Sequence, residues 1–405
     1  MQKSIWLLIS ATVASAYLKV VPNLLVVSSG RKAFFQSPNC LNSLRAMSKR
    51  KEVDDDAPKA EKKKRVSKSI LAVAPVPPPH LPCIVPGFNH SRARLLTGND
   101  ELTDGSCVIL WMSRDQRAHY NHAILYAQGV ATQRDLPLKV VFNMVPKFLN
   151  ATLRQYDFMI QGLQEVERDL RLKNIPFHLL MGDPTENIPQ FAIDHRASLL
   201  VCDFSPLRVG LSWTSTVAER LDNLKKPIPL VQVDAHNVVP CWIASPKLEY
   251  GARTIRTKIQ SKLPEFLTPY PELTANNPRD IKGCEPIDWT ATLASLEIDR
   301  SVSPVSWLQP GPAAGLVMLN SFIEKRLKDY GVQRNDPNKT LQSNLSPYIH
   351  FGQVSVQQLV LLLKSTKKHP SSADSFIEEA VVRRELADNF CFCKCGLFNV
   401  CLSIM

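Results

Sequence analysis

Cys107-Val108-Ile109-Leu110-Trp111-Met112-Ser113-Arg114-Asp115-Gln116-Arg117 is a short apolar run that ends abruptly in charge. Six apolar residues are too few for a buried helix. Their β-branched and aromatic content suits a strand covered on both faces, with the polar residues at its carboxyl end. Four runs of the same kind follow at 138–143, 177–181, 199–203 and 229–233. Helical patterns lie between them, clearest over 152–173, where Tyr156, Met159, Ile160, Leu163, Val166 and Leu170 form one stripe. Strict alternation of strand and helix predicts a doubly wound α/β domain over residues 105–237, with a parallel sheet, right-handed crossovers and helices on both faces.

Ligands of such sheets bind beyond the carboxyl ends of the strands. Those ends carry Ser113-Arg114-Asp115, Gly182-Asp183, Asp203-Phe204-Ser205 and Asp234-Ala235-His236-Asn237. Each also reads as a helix cap or turn. The sequence has no Gly-x-Gly-x-x-Gly fingerprint and no P-loop, which disfavours an ordinary dinucleotide or NTP site.

The chain has 405 residues, 44% of them apolar, enough for two or three domains with real cores. Its formal charge of +12 is unevenly placed: residues 1–100 carry +10 and residues 101–405 only +2. A nucleic-acid site on the folded body must therefore be a local patch and not a global field. The cysteines Cys40, Cys83, Cys107, Cys202, Cys241 and Cys284 are too scattered for a disulfide framework and fit a reducing compartment.

Residues 1–46 hold five Lys or Arg and no Asp or Glu, with an apolar stretch over 5–18. This is a targeting composition, open between a secretory signal and an organellar (chloroplast or mitochondrial) transit peptide. The stretch is too short to span a membrane. Lys49-Arg50-Lys51 and Lys62-Lys63-Lys64-Arg65, ten residues apart, have the spacing of a two-part nuclear import signal and predict a nuclear import receptor as partner; a solvated charge run is the plainer alternative. The run Pro75, Pro77, Pro78, Pro79, Pro82, Pro86 reads as an extended linker, so residues 1–100 are expected to be a disordered extension.

Trp111-Met112-Ser113-Arg114-Asp115-Gln116-Arg117 resembles the opening strand and loop of class II photolyases. Three further stretches agree in order: Asp203-Phe204-Ser205-Pro206-Leu207-Arg208, Val233-Asp234-Ala235-His236-Asn237-Val238-Val239-Pro240, and Lys247-Leu248-Glu249-Tyr250. One departure is Tyr120-Asn121, where the family usually has an Asp-Asn pair. The resemblance implies an antenna-type α/β domain, an interdomain linker over 238–300 and an all-α FAD-binding domain beginning near 301.

Within that helical part, Arg334-Asn335-Asp336-Pro337 leads into Gln342-Ser343-Asn344-Leu345-Ser346-Pro347-Tyr348-Ile349-His350-Phe351-Gly352. Ser346 before Pro347 reads as a helix cap. By resemblance Ser343, Asn344, Leu345 and Ser346 wrap the FAD pyrophosphate, and Tyr330 flanks the cofactor. Ser355-x-x-Gln358 and Ser375-x-x-Glu378 read as capping boxes opening two more helices. The second contains Glu378-Glu379-Ala380-Val381-Val382-Arg383-Arg384-Glu385-Leu386-Ala387-Asp388-Asn389-Phe390. In the family this helix faces flavin and lesion, and its Glu hydrogen-bonds the damaged bases. That role falls to Glu379, with Glu378 as second choice; Arg384 is assigned to flavin and Arg383 to DNA. An exposed helix with i,i+4 pairs such as Glu379 with Arg383 is the plainer reading.

The resemblance implies light-driven repair of cyclobutane pyrimidine dimers in UV-damaged DNA by electron transfer from reduced FAD, by a monomer, with a second antenna chromophore of unspecified identity. The match stops after Phe392, and residues 393–405 are expected to be a non-family tail that leaves the FAD-binding domain incomplete and the product weakly active or inactive. Cys391, Cys393, Cys395 and Cys401 lack metal-knuckle spacing, so no metal site is expected. Two other readings stand beside repair: a cryptochrome-like or dominant-negative flavin- or DNA-binding protein, and a nucleotide-binding α/β module without flavin.

Overall fold

In the computed structural model, which describes residues 81–282 and 284–401, every residue of Cys107–Met112 is buried. This strand, β2, is central. The others are β1 (Ala93–Leu95), β3 (Leu138–Met144), β4 (Phe177–Met181), β5 (Ala197–Asp203) and β6 (Leu230–Val233), in the order β1-β6-β5-β2-β3-β4. Strands β2 to β6 are parallel; β2, β5 and β6 are buried at every residue, as a sheet covered on both faces requires, while β4 at the edge is only partly buried. From β2 the chain moves outward through β3 and β4, then returns to β5 and β6 on the other side. The switch point thus lies at the carboxyl ends of β2 and β5.

Helices cover both faces. His122–Gln133 and Leu153–Arg171 pack on one side with Ile124, Leu163, Val166 and Leu170. On the other, Pro184–Asp194 and Arg208–Asp222 place Ile188, Val217 and Leu221 against Ile109 and Leu200. Thr152 opens the long helix, its backbone N–H donating to Gln155 Oε1 at 3.0 Å. Asp183 caps Pro184–Asp194 by accepting from Thr185 N at 2.8 Å.

Two expected boundaries are corrected. Residues 81–100 are not all extension: β1 pairs antiparallel with β6, Ala93 opposite Val233, so the sheet is mixed at that edge. Arg92 is buried, its guanidinium donating to the carbonyls of Asp234, Asn237, Val238 and Phe266 and to Gln357 Oε1. Nor is 238–300 a bare linker. It holds Cys241–Ala244, Ala252–Phe266 and Trp289–Ala294, and Glu167 fastens the last by accepting from Trp289 Nε1 and Ile287 N. The basic clusters at 49–51 and 62–65 and the apolar stretch over 5–18 lie outside the described residues.

The helical part has its own core, in which Ile255, Ile259, Leu319, Phe322, Leu359 and Phe376 meet. Its helices include Pro312–Lys325, Leu327–Gln333, Ser346–His350, Val356–Thr366 and Pro370–Ile377. Ser355 caps as expected, accepting from Gln358 N at 3.3 Å. Ser375 does not. Its helix already starts at Pro370, and its hydroxyl turns back to Ser371 O at 3.0 Å. Ser346 is likewise the first helical residue and makes no cap; Leu345 holds that position. From Ile377 the chain continues as a π-helix, Glu378–Arg383, then as an α-helix, Arg384–Cys401, which runs past position 393.

No helix among the described residues is long and apolar enough to cross a membrane.

Candidate functional site

The loop after β2 is built as a docking plate. Asp203 Oδ2, at the end of β5, accepts from the backbone N–H of Ser113 and Asp115, each at 2.9 Å. Burial and the neighbouring Asp115 charge push the Asp203 carboxyl up to about 6. Asp115 meets Arg117 Nη1 at 2.7 Å and His236 Nδ1 at 3.1 Å. Burial opposes its charge, but His236 and Arg117 outweigh that and hold it below the usual carboxylate range. Arg117 also donates to the carbonyls of Gly352 and Ala235, tying the plate to the helical part and to the loop after β6.

The helix Arg384–Cys401 lies against this plate. Arg114 grips Asp388 with both terminal nitrogens, at 2.8 and 2.9 Å. Although burial opposes the charge, this ion pair holds the Asp388 carboxyl at about 2. One turn earlier, Glu385 Oε1 accepts from Val238 N at 2.7 Å, while Oε2 is buried without a partner. Burial pushes Glu385 up to about 8, against the pull of Arg384. Asn389 bonds both the Glu249 N–H and the Lys247 carbonyl.

The residues assigned from sequence separate into two groups. Tyr330, Glu379 and Arg383 come together: Glu379 meets Arg383 at 3.2 Å and Arg334 at 3.6 Å, and Arg334 lies over the Tyr330 ring at 5.7 Å. Tyr330 is buried against Phe322 and Phe376, and burial together with Glu379 pushes its hydroxyl up to about 12. Glu378, by contrast, is gripped by Arg256 at 2.7 and 3.0 Å. Arg384 is turned away from this group. It donates to Ala380 O and to Asn237 Oδ1, between the sheet and the helical part.

In the segment read as a pyrophosphate wrap, Ser343 and Asn344 are half-buried, Ser346 is exposed and Leu345 is fully buried. Asn344 has φ 60°, a left-handed turn that Asn tolerates. Beside it stands a residue that sequence reading missed. Arg326 Nη1 donates to Gln342 O at 3.0 Å, its guanidinium lies over Phe322, and its Nε is buried without a partner. A half-buried cation with no carboxylate among the described residues is suited to an anion, so the segment fits a diphosphate-bearing cofactor. Among the described residues no group of three His, Cys, Asp or Glu is placed to hold a metal.

Residues 108–276 match the DNA photolyase family model. The chain is 51% identical over 307 residues to a deoxyribodipyrimidine photo-lyase of Potorous tridactylus, covering 75% of this chain and 57% of that protein. The corresponding proteins of Arabidopsis thaliana and Oryza sativa subsp. japonica are 41% and 42% identical, over 70% and 71% of this chain and 59% and 58% of theirs. The chain belongs to the photolyase/cryptochrome family. It spans about three-fifths of the length of these photolyase relatives. Among solved structures, a Synechocystis sp. PCC6803 cryptochrome superposes with a TM-score of 0.53 at 20% identity, covering 70% of this chain and 61% of that one. A class III photolyase from Agrobacterium tumefaciens gives 0.53 at 18%, covering 73% and 61%. These two share the fold.

The polar strand ends serve mainly as structure in this photolyase-family chain. Asp203 ties β5 to the β2 loop. Asp234 accepts from His236 N, Asn237 N and Cys241 N and so shapes the turn after β6. At the departure from the family pattern, Asn121 is buried and caps its helix, accepting from Ala123 N at 2.9 Å, while Tyr120 is exposed at φ 55°.

Proposed function

We propose that this chain is of the class II type and serves light-driven repair of cyclobutane pyrimidine dimers in DNA, with FAD as cofactor and an antenna chromophore as accessory. The observation that carries this reading is the meeting of Tyr330, Arg334, Glu379 and Arg383 at one place on the helical part. The identity to the photo-lyases of Potorous and the two plants supports it.

When bound, reduced FAD would supply the electron that opens the cyclobutane ring under light. The chain's own residues supply binding and placement. Arg326 would neutralise the diphosphate beside Ser343, Asn344 and Ser346, and Tyr330 would close the apolar wall. Glu379 would accept from or donate to the lesion's polar edge, steadying charge that develops there. Half-buried Arg334 and exposed Arg383 hold its carboxylate in place until a lesion competes for it.

The paired clusters at 49–51 and 62–65 support delivery to the nucleus. The deciding experiment is flavin absorbance of the purified chain, followed by light-dependent loss of dimers from irradiated DNA. Arg326→Ala should lower flavin retention about tenfold or more, as for loss of a charge-assisted hydrogen bond. A folded but colourless wild-type preparation, reconstituted with excess FAD and still colourless, would sink the flavin reading.

A further inference from the structure

Residues 101–405 net only +2, yet residues 245–264 hold five Lys or Arg and a single acid, Glu249. That acid is consumed internally: buried Glu249 binds Lys258 and the Ser245 hydroxyl. Arg256 is engaged with Glu378, whereas Lys247 and Arg253 are exposed and have no acidic partner among the described residues. Apart from Glu265 in the last turn, which accepts from Asn89 Nδ2 at 3.0 Å, the exposed polar face of Ala252–Phe266 carries Arg253, Thr254, Thr257, Gln260 and Ser261. These side chains are hydroxyl, amide or cationic, the types that contact phosphate oxygens. The opposite stripe, Ile255 and Ile259, is fully buried, so the polar face has one direction in which to look.

The preceding loop is braced from behind. Asn389 accepts from Glu249 N at 2.8 Å and donates to Lys247 O at 3.0 Å. On this braced loop Tyr250 is 92% exposed, between Lys247 and Arg253. Aromatic residues interleaved with cations suit nucleic acid. The surface is also continuous with the helix bearing Glu379. Glu378 accepts from Arg256 on one side and lies 3.9 Å from Arg383 on the other.

The geometry points to the surface formed by Lys247, Tyr250, Arg253 and the exposed face of Ala252–Phe266 as a DNA-backbone contact that extends the Glu379–Arg383 region. The inference rests on the proposed function for the identity of the polyanion, but not on flavin.

The test measures binding of the full chain to a short labelled mixed-sequence duplex across a salt series. Removing two phosphate contacts with Lys247→Gln plus Arg253→Gln should lower the salt slope by about 1.8, or ~0.9 for each. The affinity lost between about 50 and 200 mM salt then becomes roughly tenfold smaller. Tyr250→Ala should weaken binding to a duplex with one unpaired base by about fivefold or more. Lys225→Gln plus Lys226→Gln, an equal charge change on the sheet half, should leave the slope unchanged. Equal slopes for the wild type and the Lys247/Arg253 variant, or an equal loss in the Lys225/Lys226 variant, overturn the inference. So does a wild-type chain that binds anionic vesicles and not duplex. A colourless chain with the expected slope changes supports this surface while the flavin reading fails; a flavin-loaded chain insensitive to both Lys247/Arg253 and Tyr250 changes overturns the surface and leaves that reading standing.

Discussion

Replacing Asp388 with Asn tests the contact that joins the sheet to the helix bearing Glu379 and Arg383. Both partners are largely buried, the side chains 18% and 8% exposed, and the pair is bidentate. Asn keeps the shape and one acceptor, and Asn237 Nδ2, at 3.1 Å from Asp388, retains a partner. What is lost is the charge that balances Arg114. Breaking one side of a buried pair costs about 3–5 kcal/mol. The Asp388 carboxyl, lowered from 3.8 to about 2, sets an independent scale of roughly 2–3 kcal/mol at about 1.4 kcal/mol per unit. A loss near 3 kcal/mol is expected, read as a lower urea midpoint at unchanged slope. The sign follows from the direction of the shift. A depressed carboxylate contributes stability that is full above its unfolded value and lost as pH falls through its folded one. The gap between wild type and Asp388→Asn should therefore be full at pH 7 and close between about pH 4 and pH 2. Arg114→Met combined with Asp388→Leu should recover much of the loss, since no buried charge is stranded. A loss under about 1 kcal/mol at pH 7, or additive single and double variants, would refute the pairing as the source of the stability.

Glu385 titrates in the opposite sense. Its folded value of about 8 lies above the ordinary 4.5, so its contribution is full below about pH 4.5 and fades as pH rises toward 8. Glu385→Gln, which keeps an acceptor for Val238 N, should flatten the fall in urea midpoint between pH 5 and 8; a variant with the wild-type profile would place that dependence elsewhere. Gly352 has φ 62°, and a Cβ there would lie 2.4 Å from Arg114 O and 2.5 Å from Asp115 Cα. Gly352→Ala should cost at least about 2–3 kcal/mol, because both colliding atoms are backbone and the φ is strained for Ala. Equilibrium unfolding within about 0.5 kcal/mol of wild type would show that the plate yields.

The five parallel strands were legible because a strand covered by helices is a continuous apolar run; each run here is short, and all but β3 reach an Asp or Arg at their end or within two residues of it. β1 was not. Ala93-Arg94-Leu95 is three residues long and follows Arg92, whose charge reads as surface. Arg92 is buried nonetheless, because its acceptors are backbone carbonyls and an amide 142 to 265 residues away, which local pattern does not reveal. Tyr330, Glu379 and Arg383 were found by resemblance, and the structure brings them together. Arg326 escaped notice because an arginine near a helix end looks like an ordinary cation until its lack of an acidic partner is seen.

The placement of Arg384 has a general physical origin. Glu385, Asp388 and Asn389 occur at i, i+3 and i+4, a polar stripe that by composition alone faces water. All three are buried, at 2%, 6% and 0% exposure. Burial of such a stripe requires complementary groups: two strand-end loops supply those of Glu385 and Asp388, Arg114 after β2 and the Val238 and Asn237 groups after β6, while Asn389 bonds Glu249 N and Lys247 O. Those loops, read as a possible ligand crevice, are thus half of a contact whose other half lies about 150 to 270 residues along the chain. Arg384 sits beside the stripe, so its guanidinium goes to Asn237 Oδ1. Within the π-helical turn before it, Glu379 and Arg383 are left on the side facing Arg334. One helix therefore presents two polar faces with different duties, fastening the sheet with one and holding Glu379 toward Arg334 with the other.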